Sequence, residues 1–166
     1  MEKERILVLN KERIAIKLRR MAFEIWEKNS IEQEITLLGI ETAGSILADK
    51  LTEILREISP LNISTASIKI NKINPLHLEE GLTVDLNGKS VIIVDDVINS
   101  GKTIMYALQF ILPFNLKKLL VAVLVDRSHK SFPVSADIVG LTISTTLQEH
   151  ITVETAGKDI TAVYLQ

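Results

Sequence analysis

The sequence predicts an α/β fold: a mainly parallel, twisted sheet with helices on its faces. Three observations carry this. Strand-like and helix-like segments alternate over most of the chain. The central strand-like segments, above all Ser90-Val91-Ile92-Ile93-Val94, are continuously apolar, as strands covered on both faces are. Three of these segments end in distinctive polar groups: Glu41-Thr42-Ala43-Gly44, Asp95 to Thr103, and Asp126-Arg127. In parallel sheets, functional residues gather beyond the carboxyl ends of the strands. The 166 residues read as one domain spanning 1–166. A chain of this length buries about two thirds of its unfolded surface, so its core needs no disulfide or metal staple.

The elements follow in order. Lys11 to Asn29 reads as an amphipathic helix, with Ile14, Leu18, Met21, Ile25 and Trp26 at helical spacing. Its cations Lys17, Arg19, Arg20 and Lys28 read as a solvated side. Ile35 to Ile40 is a short apolar strand, and Glu41-Thr42-Ala43-Gly44 turns tightly after it. A second helix runs from about Ser45 to Glu57, and Ser59-Pro60 ends it. Ile63 to Ile70 reads as a strand, with Ile68 and Ile70 alternating with Ser67 and Lys69. Asn71 to Asn87 is irregular, and a structureless stretch of this length inside a domain is usually functional. Ser90 to Val94 is the most apolar strand and ends at Asp95-Asp96. Val97 to Thr103 opens a helix that stops near Leu112, before Pro113. Lys118 to Val125 is a further strand, and Ser128 to Gln166 mixes short β-like pieces with turns.

Composition excludes several classes of function. Lys+Arg is 19 and Asp+Glu is 21, a net charge of −2, which is not that of a general nucleic-acid or membrane-surface binder. Aromatic content is 4%, so no set of rings is evident for stacking single-stranded bases. The absence of cysteine removes disulfides, thiolate metal sites and cysteine nucleophiles together. Met1 to Arg5 is charged and does not read as a signal peptide, and no run reaches the ~20 apolar residues of a membrane span. The expectation is a cytoplasmic protein with no membrane partner. His77, His129 and His150 form no H-x-x-x-H pair, so a zinc site is unsupported.

Chemistry concentrates in Val94 to Thr103. An apolar strand delivers two carboxylates, and a loop with Ser100, Gly101 and Thr103 enters a helix. A helix N-terminus has free N–H groups and partial positive charge, and glycine lets backbone approach an anion closely. The run is a cradle for one phosphate. Asp95 and Asp96, just upstream, are placed to accept hydrogen bonds from sugar hydroxyls. A phosphate beside a polyol describes a ribose 5-phosphate. Gly101-Lys102-Thr103 is not the end of a Walker A loop, because that motif needs glycine where Asp96 stands. No G-x-G-x-x-G is present.

Val91 to Thr103 resembles the signature of the type I phosphoribosyltransferases, which bind 5-phosphoribosyl-1-pyrophosphate (PRPP). Leu38 to Gly44 resembles the family's pyrophosphate loop. Ala122 to Lys130, followed by Phe132 to Gly140, resembles the branch of bacterial pyrimidine-operon attenuation regulators that are also uracil phosphoribosyltransferases. The resemblance covers nearly the whole chain and implies a small hood built from the chain's terminal regions.

It also implies roles. Asp95 and Asp96 would bind the ribose hydroxyls and act in catalysis. Ile98, Asn99, Ser100, Gly101, Lys102 and Thr103 would hold the 5-phosphate. Glu41, Thr42, Ala43, Gly44 and Lys72 would meet the pyrophosphate, in a loop that often contains a non-proline cis peptide in this family. Asp126, Arg127, Ile138 and Val139 would form the base side, within a hood running from Asp126 onward. Mg2+ would bridge ribose hydroxyls and pyrophosphate, approached indirectly by Asp95 and Asp96, with Glu154 as a further acidic candidate.

The implied reaction transfers ribose 5-phosphate from PRPP to a pyrimidine, uracil giving UMP, with release of pyrophosphate. The alternative is a PRPP- or nucleotide-sensing regulator of pyrimidine genes that binds RNA through Arg19, Arg20, Arg127 and Lys130. A homodimer is expected from family habit, with apolar surface at Phe114, Leu116 and the N-terminal helix. Two features depart from the pattern: Ala43 stands where the branch usually has arginine, and the stretch matching the mobile loop, Lys69 to Asp85, is short, with only Lys69 and Lys72 as cations.

Overall fold

The computed structural model describes residues 5–71 and 82–166. Lys72 and His77, with most of the irregular stretch and the loop expected to close over the site, lie outside the described residues. In chain order the elements are β1 (Ile6–Leu9), α1 (Lys11–Lys28), β2 (Glu34–Ile40), α2 (Ala43–Ile58), β3 (Asn62–Ile68), β4 (Ser90–Ile98), α3 (Lys102–Ile111), β5 (Lys118–Asp126), β6 (Ile138–Thr142), β7 (Ile151–Ala156) and β8 (Asp159–Leu165). Five strands form a parallel sheet in the order β3-β2-β4-β5-β6. Three form a smaller antiparallel sheet, β1-β8-β7, which joins the two ends of the chain as the hood.

The period of two along the central strands divides the core. Leu37, Ile92, Val94, Ala122 and Leu124 face α1 and α2, while Leu38, Val91, Ile93, Val121 and Val123 face α3. Each fully buried Leu, Ile or Val contributes about 1.5–3 kcal/mol by leaving water, which is why these strands are apolar on both faces. Helix α1 buries the stripe Ile14, Leu18, Met21, Ala22 and Ile25. Its N-cap Asn10 side chain accepts from the Arg13 N–H at 2.9 Å, and the Lys118 ammonium donates to the Lys28 carbonyl at 2.6 Å. Asn29, fully buried, accepts from Ser90 Oγ at 2.7 Å and donates to the Ile25 carbonyl at 2.7 Å, tying the end of α1 to the start of β4.

Several expectations change. β4 does not stop at Val94: its ladder with β5 continues through Asp95↔Val123, Val97↔Val125 and Ile98↔Asp126, because backbone pairing tolerates carboxylates at the sheet's open end. Helix α3 therefore begins at Lys102, not near Val97. The chain beyond Asp126 first adds β6 to the main sheet and only then enters the hood. Phe114 and Leu116 pack, partly buried, against the α3 side of the core, held by a turn in which Phe114 N–H donates to Ile111 O at 3.0 Å. Ile16 and Phe23 on α1 remain exposed. Among the described residues no helix is long and apolar enough to cross a membrane.

Candidate phosphoribosyl site

The carboxyl ends of β2 and β4 and the N-termini of α2 and α3 enclose a cavity of about 490 Å³. Asp95 (7% exposed) and Asp96 lie on its wall. The Asp96 N–H donates to Asp95 Oδ1 at 2.9 Å, which helps fix the buried carboxylate. Glu41, Thr42 and Ala43 form one side, and Asn99, Lys102 and Thr103 another. A smaller adjoining recess of about 130 Å³ is lined by Val97 to Ile104 with Asp95. It lies at the mouth of α3.

At neither helix does the N-cap residue, Thr42 or Gly101, close the N-terminus with its side chain, and at α3 the Lys102 N–H has only a 3.3 Å bond to Ser100 Oγ. Their first-turn N–H groups and dipoles therefore suit two anionic groups on either side of the carboxylates. At α3 the turn requires glycine: Gly101 has φ +86, and an added Cβ would lie 2.4 Å from Val134 Cγ2. At α2, Gly44 packs directly on β4, where a Cβ would stand 2.6 Å from Val94 O and 3.1 Å from Asp95 Cα. The Glu41–Thr42 peptide is cis, as the resemblance implies for this loop. Among the described residues lining the large cavity, the charged ones are Glu41, Asp95, Asp96 and Lys102. The Lys102 ammonium lies 5.7 Å from the Tyr106 ring centroid.

The cavity and its recess thus gather Glu41, Thr42, Ala43, Asp95, Asp96 and Ile98 to Thr103, with Gly44 immediately beneath. The other expected residues stand elsewhere. Ile138 is buried in the core, paired with Ala122, and Val139 faces the α3 side of the sheet with its carbonyl accepting from Arg20 at 2.7 Å. Neither lines the cavity, because the parallel ladder with β5 claims them. Asp126 accepts from Ser128 N–H and pairs with Lys130. The Arg127 guanidinium turns away to Thr145 and Thr146. Glu154 lies on β7, paired with Arg5 at 2.6 Å, and does not line the cavity.

Two lining residues lie outside the segments that the sequence marks for the site: Tyr106 and Ile151. Tyr106 stands four residues after Lys102, on the same helix face, and that spacing is the one available clue. Ile151 arrives from the hood, and no local pattern announces it.

The phosphoribosyl transferase domain family matches residues 7–156. The chain is 35% identical over 152 residues to the bifunctional protein PyrR of Enterococcus faecalis, covering 86% of this chain and 85% of that one. It is 35% identical over 157 residues to the bifunctional protein PyrR of Ligilactobacillus salivarius, covering 86% and 88%. Among solved structures, a hypoxanthine phosphoribosyltransferase of Trypanosoma cruzi superposes with a TM-score of 0.80 at 16% identity, over 94% of each chain. A hypoxanthine-guanine phosphoribosyltransferase of Bacillus anthracis superposes at 0.75 and 21% identity, over 83% and 82%. At such identities the structural likeness speaks for the fold, and the sequence matches speak for kinship. The chain belongs to the phosphoribosyltransferase family and, within it, groups with the bifunctional PyrR proteins.

Proposed function

We propose that this protein transfers the ribose 5-phosphate of PRPP to a pyrimidine base, converting uracil to UMP and releasing pyrophosphate. The observation that carries the reading is the pair of helix N-termini, of α2 and α3, that flank Asp95 and Asp96 in one cavity. The mouth of α3, with the Ser100 and Thr103 hydroxyls, holds the 5-phosphate. The backbone N–H groups of Thr42, Ala43 and Gly44 receive the pyrophosphate. Asp95 and Asp96 accept hydrogen bonds from the ribose hydroxyls. As the bond from C1 to the pyrophosphate oxygen breaks, a base nitrogen bonds to C1 and gives up its proton. The positive charge that builds on the sugar is stabilised by the two carboxylates, one of them buried.

The residues present fit Mg2+. Three carboxylates line the cavity, Glu41, Asp95 and Asp96, and among the described residues no cluster of three or more His, Asp or Glu could cage an ion. That donor set suits a cation that completes its octahedron with substrate oxygens and water. When bound it neutralises charge on the departing pyrophosphate. We infer a homodimer as well, supported by the exposed Ile16 and Phe23 of α1, with Phe114 and Leu116 only partly buried.

Kinship with the bifunctional PyrR proteins favours a second reading, a nucleotide-sensing regulator that binds pyrimidine-operon RNA. The cations expected on such a face are engaged internally: Arg19 with Glu57, Arg20 with Glu24 and β6, Arg127 with Thr145, Lys130 with Asp126. A salt-sensitive shift of the leader RNA supports this reading, and no shift at low salt removes it.

For the enzyme, purified protein is incubated with Mg2+, PRPP and each common base. Pyrophosphate release and UMP formation with uracil are expected. No release with any base overturns the proposal.

A further inference from the structure

Between β5 and β6, residues 127–134 form a bridge with two differently bonded sides. One side is fastened to the phosphate cradle through backbone. Arg127 N–H donates to Ile98 O at 3.1 Å, and the N–H groups of Ser131 and Phe132 both donate to Ser100 O, at 2.9 and 3.0 Å. The Val134 side chain sits where a Cβ on Gly101 would go.

The other side is fastened to the approach to the hood: Ile143 N–H donates to Asp126 O at 2.8 Å, and beyond it side chains make the link. Arg127 Nε donates to Thr145 Oγ1 at 2.6 Å, and Arg127 Nη2 donates to Thr146 O at 2.8 Å. His129 Nε2 pairs with Thr145 O. Arg127 and Thr145 are each only 9% exposed, so the clasp is largely out of water. Thr146 N–H in turn donates to Glu149 Oε2 at 2.6 Å, and this contact, with the Arg127 charge, holds the Glu149 carboxyl below its ordinary value. The clasped segment then enters β7, whose first residue, Ile151, is the hood's contribution to the cavity wall.

We propose that Arg127 is a positioning residue: its clasp on Thr145 and Thr146 sets the hood wall at Ile151 against the cradle, and so governs how the base is held once the ribose phosphate is in place. This rests on the phosphoribosyl reading of the cavity. The asymmetry follows from the bonding. The cradle is held by the β4–β5 ladder and by backbone hydrogen bonds, which no side-chain change removes. The hood wall is itself held by backbone, through the Ile151–Leu165 pairing and the reciprocal His150–Gln166 bonds, but its link to the cradle runs through a charged fork whose hydrogen bonds are stronger than neutral ones and costly to leave unmade when buried. A wall displaced by a fraction of an ångström misplaces the base and leaves the sugar phosphate alone.

The test titrates ribose 5-phosphate and UMP calorimetrically into the full-length chain. Thr145→Val removes the acceptor of Arg127 Nε at nearly constant volume, and Thr145→Ser restores it. Arg127→Met is the direct variant, but it strips donors from two acceptors at once and risks the fold, so the threonine pair decides. In Thr145→Val, UMP binding is expected to weaken about tenfold, with ribose 5-phosphate unchanged within about twofold. Thr145→Ser is expected to bind UMP like the native chain. Equal weakening of both ligands, or no weakening of UMP, overturns the inference while leaving the cavity's assignment intact. A native chain that binds neither ligand overturns the assignment and the inference together.

Discussion

Replacing Gly44 by alanine tests how closely the proposed pyrophosphate side of the site is built onto the carboxylates. The new Cβ would lie 2.6 Å from Val94 O, 3.1 Å from Asp95 Cα and 3.3 Å from Asp95 Oδ1. An ordinary carbon–oxygen approach is about 3.3 Å, so the first contact falls short by about 0.7 Å. The nearest atom is β4 backbone and cannot rotate aside. The N-terminus of α2 must retreat instead, at a cost of about 1–3 kcal/mol for overpacking. The retreat carries the Thr42 and Ala43 N–H groups away from Asp95 by a similar distance. A displacement of about 1 Å in a catalytic array can cost on the order of a hundredfold, so kcat/KM should fall between about 10- and 100-fold. Gly88→Ala is the control. Gly88 has φ +72 and open space within 4 Å of where an alanine methyl would stand, so alanine there costs about 1–2 kcal/mol of backbone strain without touching the site. Urea unfolding and steady-state pyrophosphate release on both variants separate the effects. Comparable loss of stability with loss of activity only in Gly44→Ala is expected. Native kinetics in Gly44→Ala would refute the reasoning.

Other perturbations probe other parts of the account. Ala43→Arg places a guanidinium at the cavity edge; titration should show PRPP binding tightened about tenfold, by the worth of a charge-assisted bidentate contact, and unchanged affinity would remove Ala43 from the pyrophosphate side. Asn29→Ala breaks two buried hydrogen bonds and leaves Ser90 Oγ without its acceptor. Thermal unfolding should show a loss of about 2–3 kcal/mol, or about 5–10 °C in Tm, with PRPP binding unaffected. The Asp159 carboxyl is held below its ordinary value by its hydrogen bond from Lys50, at 3.0 Å, and then by the charges of Lys50 and Lys11. A depressed carboxyl contributes stability above its unfolded pKa and loses it as pH falls through the depressed value. Asp159→Asn should therefore flatten the acid limb of the urea midpoint below about pH 4, modestly because the group is exposed; an unchanged slope would contradict the assignment.

What can be read from sequence follows from what each element needs. α1 is legible because Ile14, Leu18, Met21 and Ile25 repeat at helical spacing, and β2, β4 and β5 because strands buried on both faces must be apolar throughout. The cavity at the end of β4 is legible for a related reason: two carboxylates, a glycine at positive φ and hydroxyls at a helix mouth are local, and their spacing carries the geometry. The base side is not. Ile138 and Val139 read as hood, but a parallel partner in β5 recruits them to the main sheet. β1 has only four residues, with Ile6 and Leu7 more than half exposed, and its partner β8 lies at the other end of the chain. Ile151 reaches the cavity through that same long-range pairing, which no window of sequence reports. Asp95 and Asp96 look like a strand's end because carboxylates are rare inside sheets, yet the ladder runs past them to Ile98.

The central claim is that a ribose phosphate is held between Asp95–Asp96 and the mouth of α3. Its most direct test is isothermal titration of PRPP with Mg2+ into the native chain and into the Asp95→Asn, Asp96→Asn double variant. Losing two charged acceptors of ribose hydroxyls should weaken binding by about a hundredfold or more while the fold persists. Native affinity in the double variant, or no binding of PRPP by the native chain, would contradict the account.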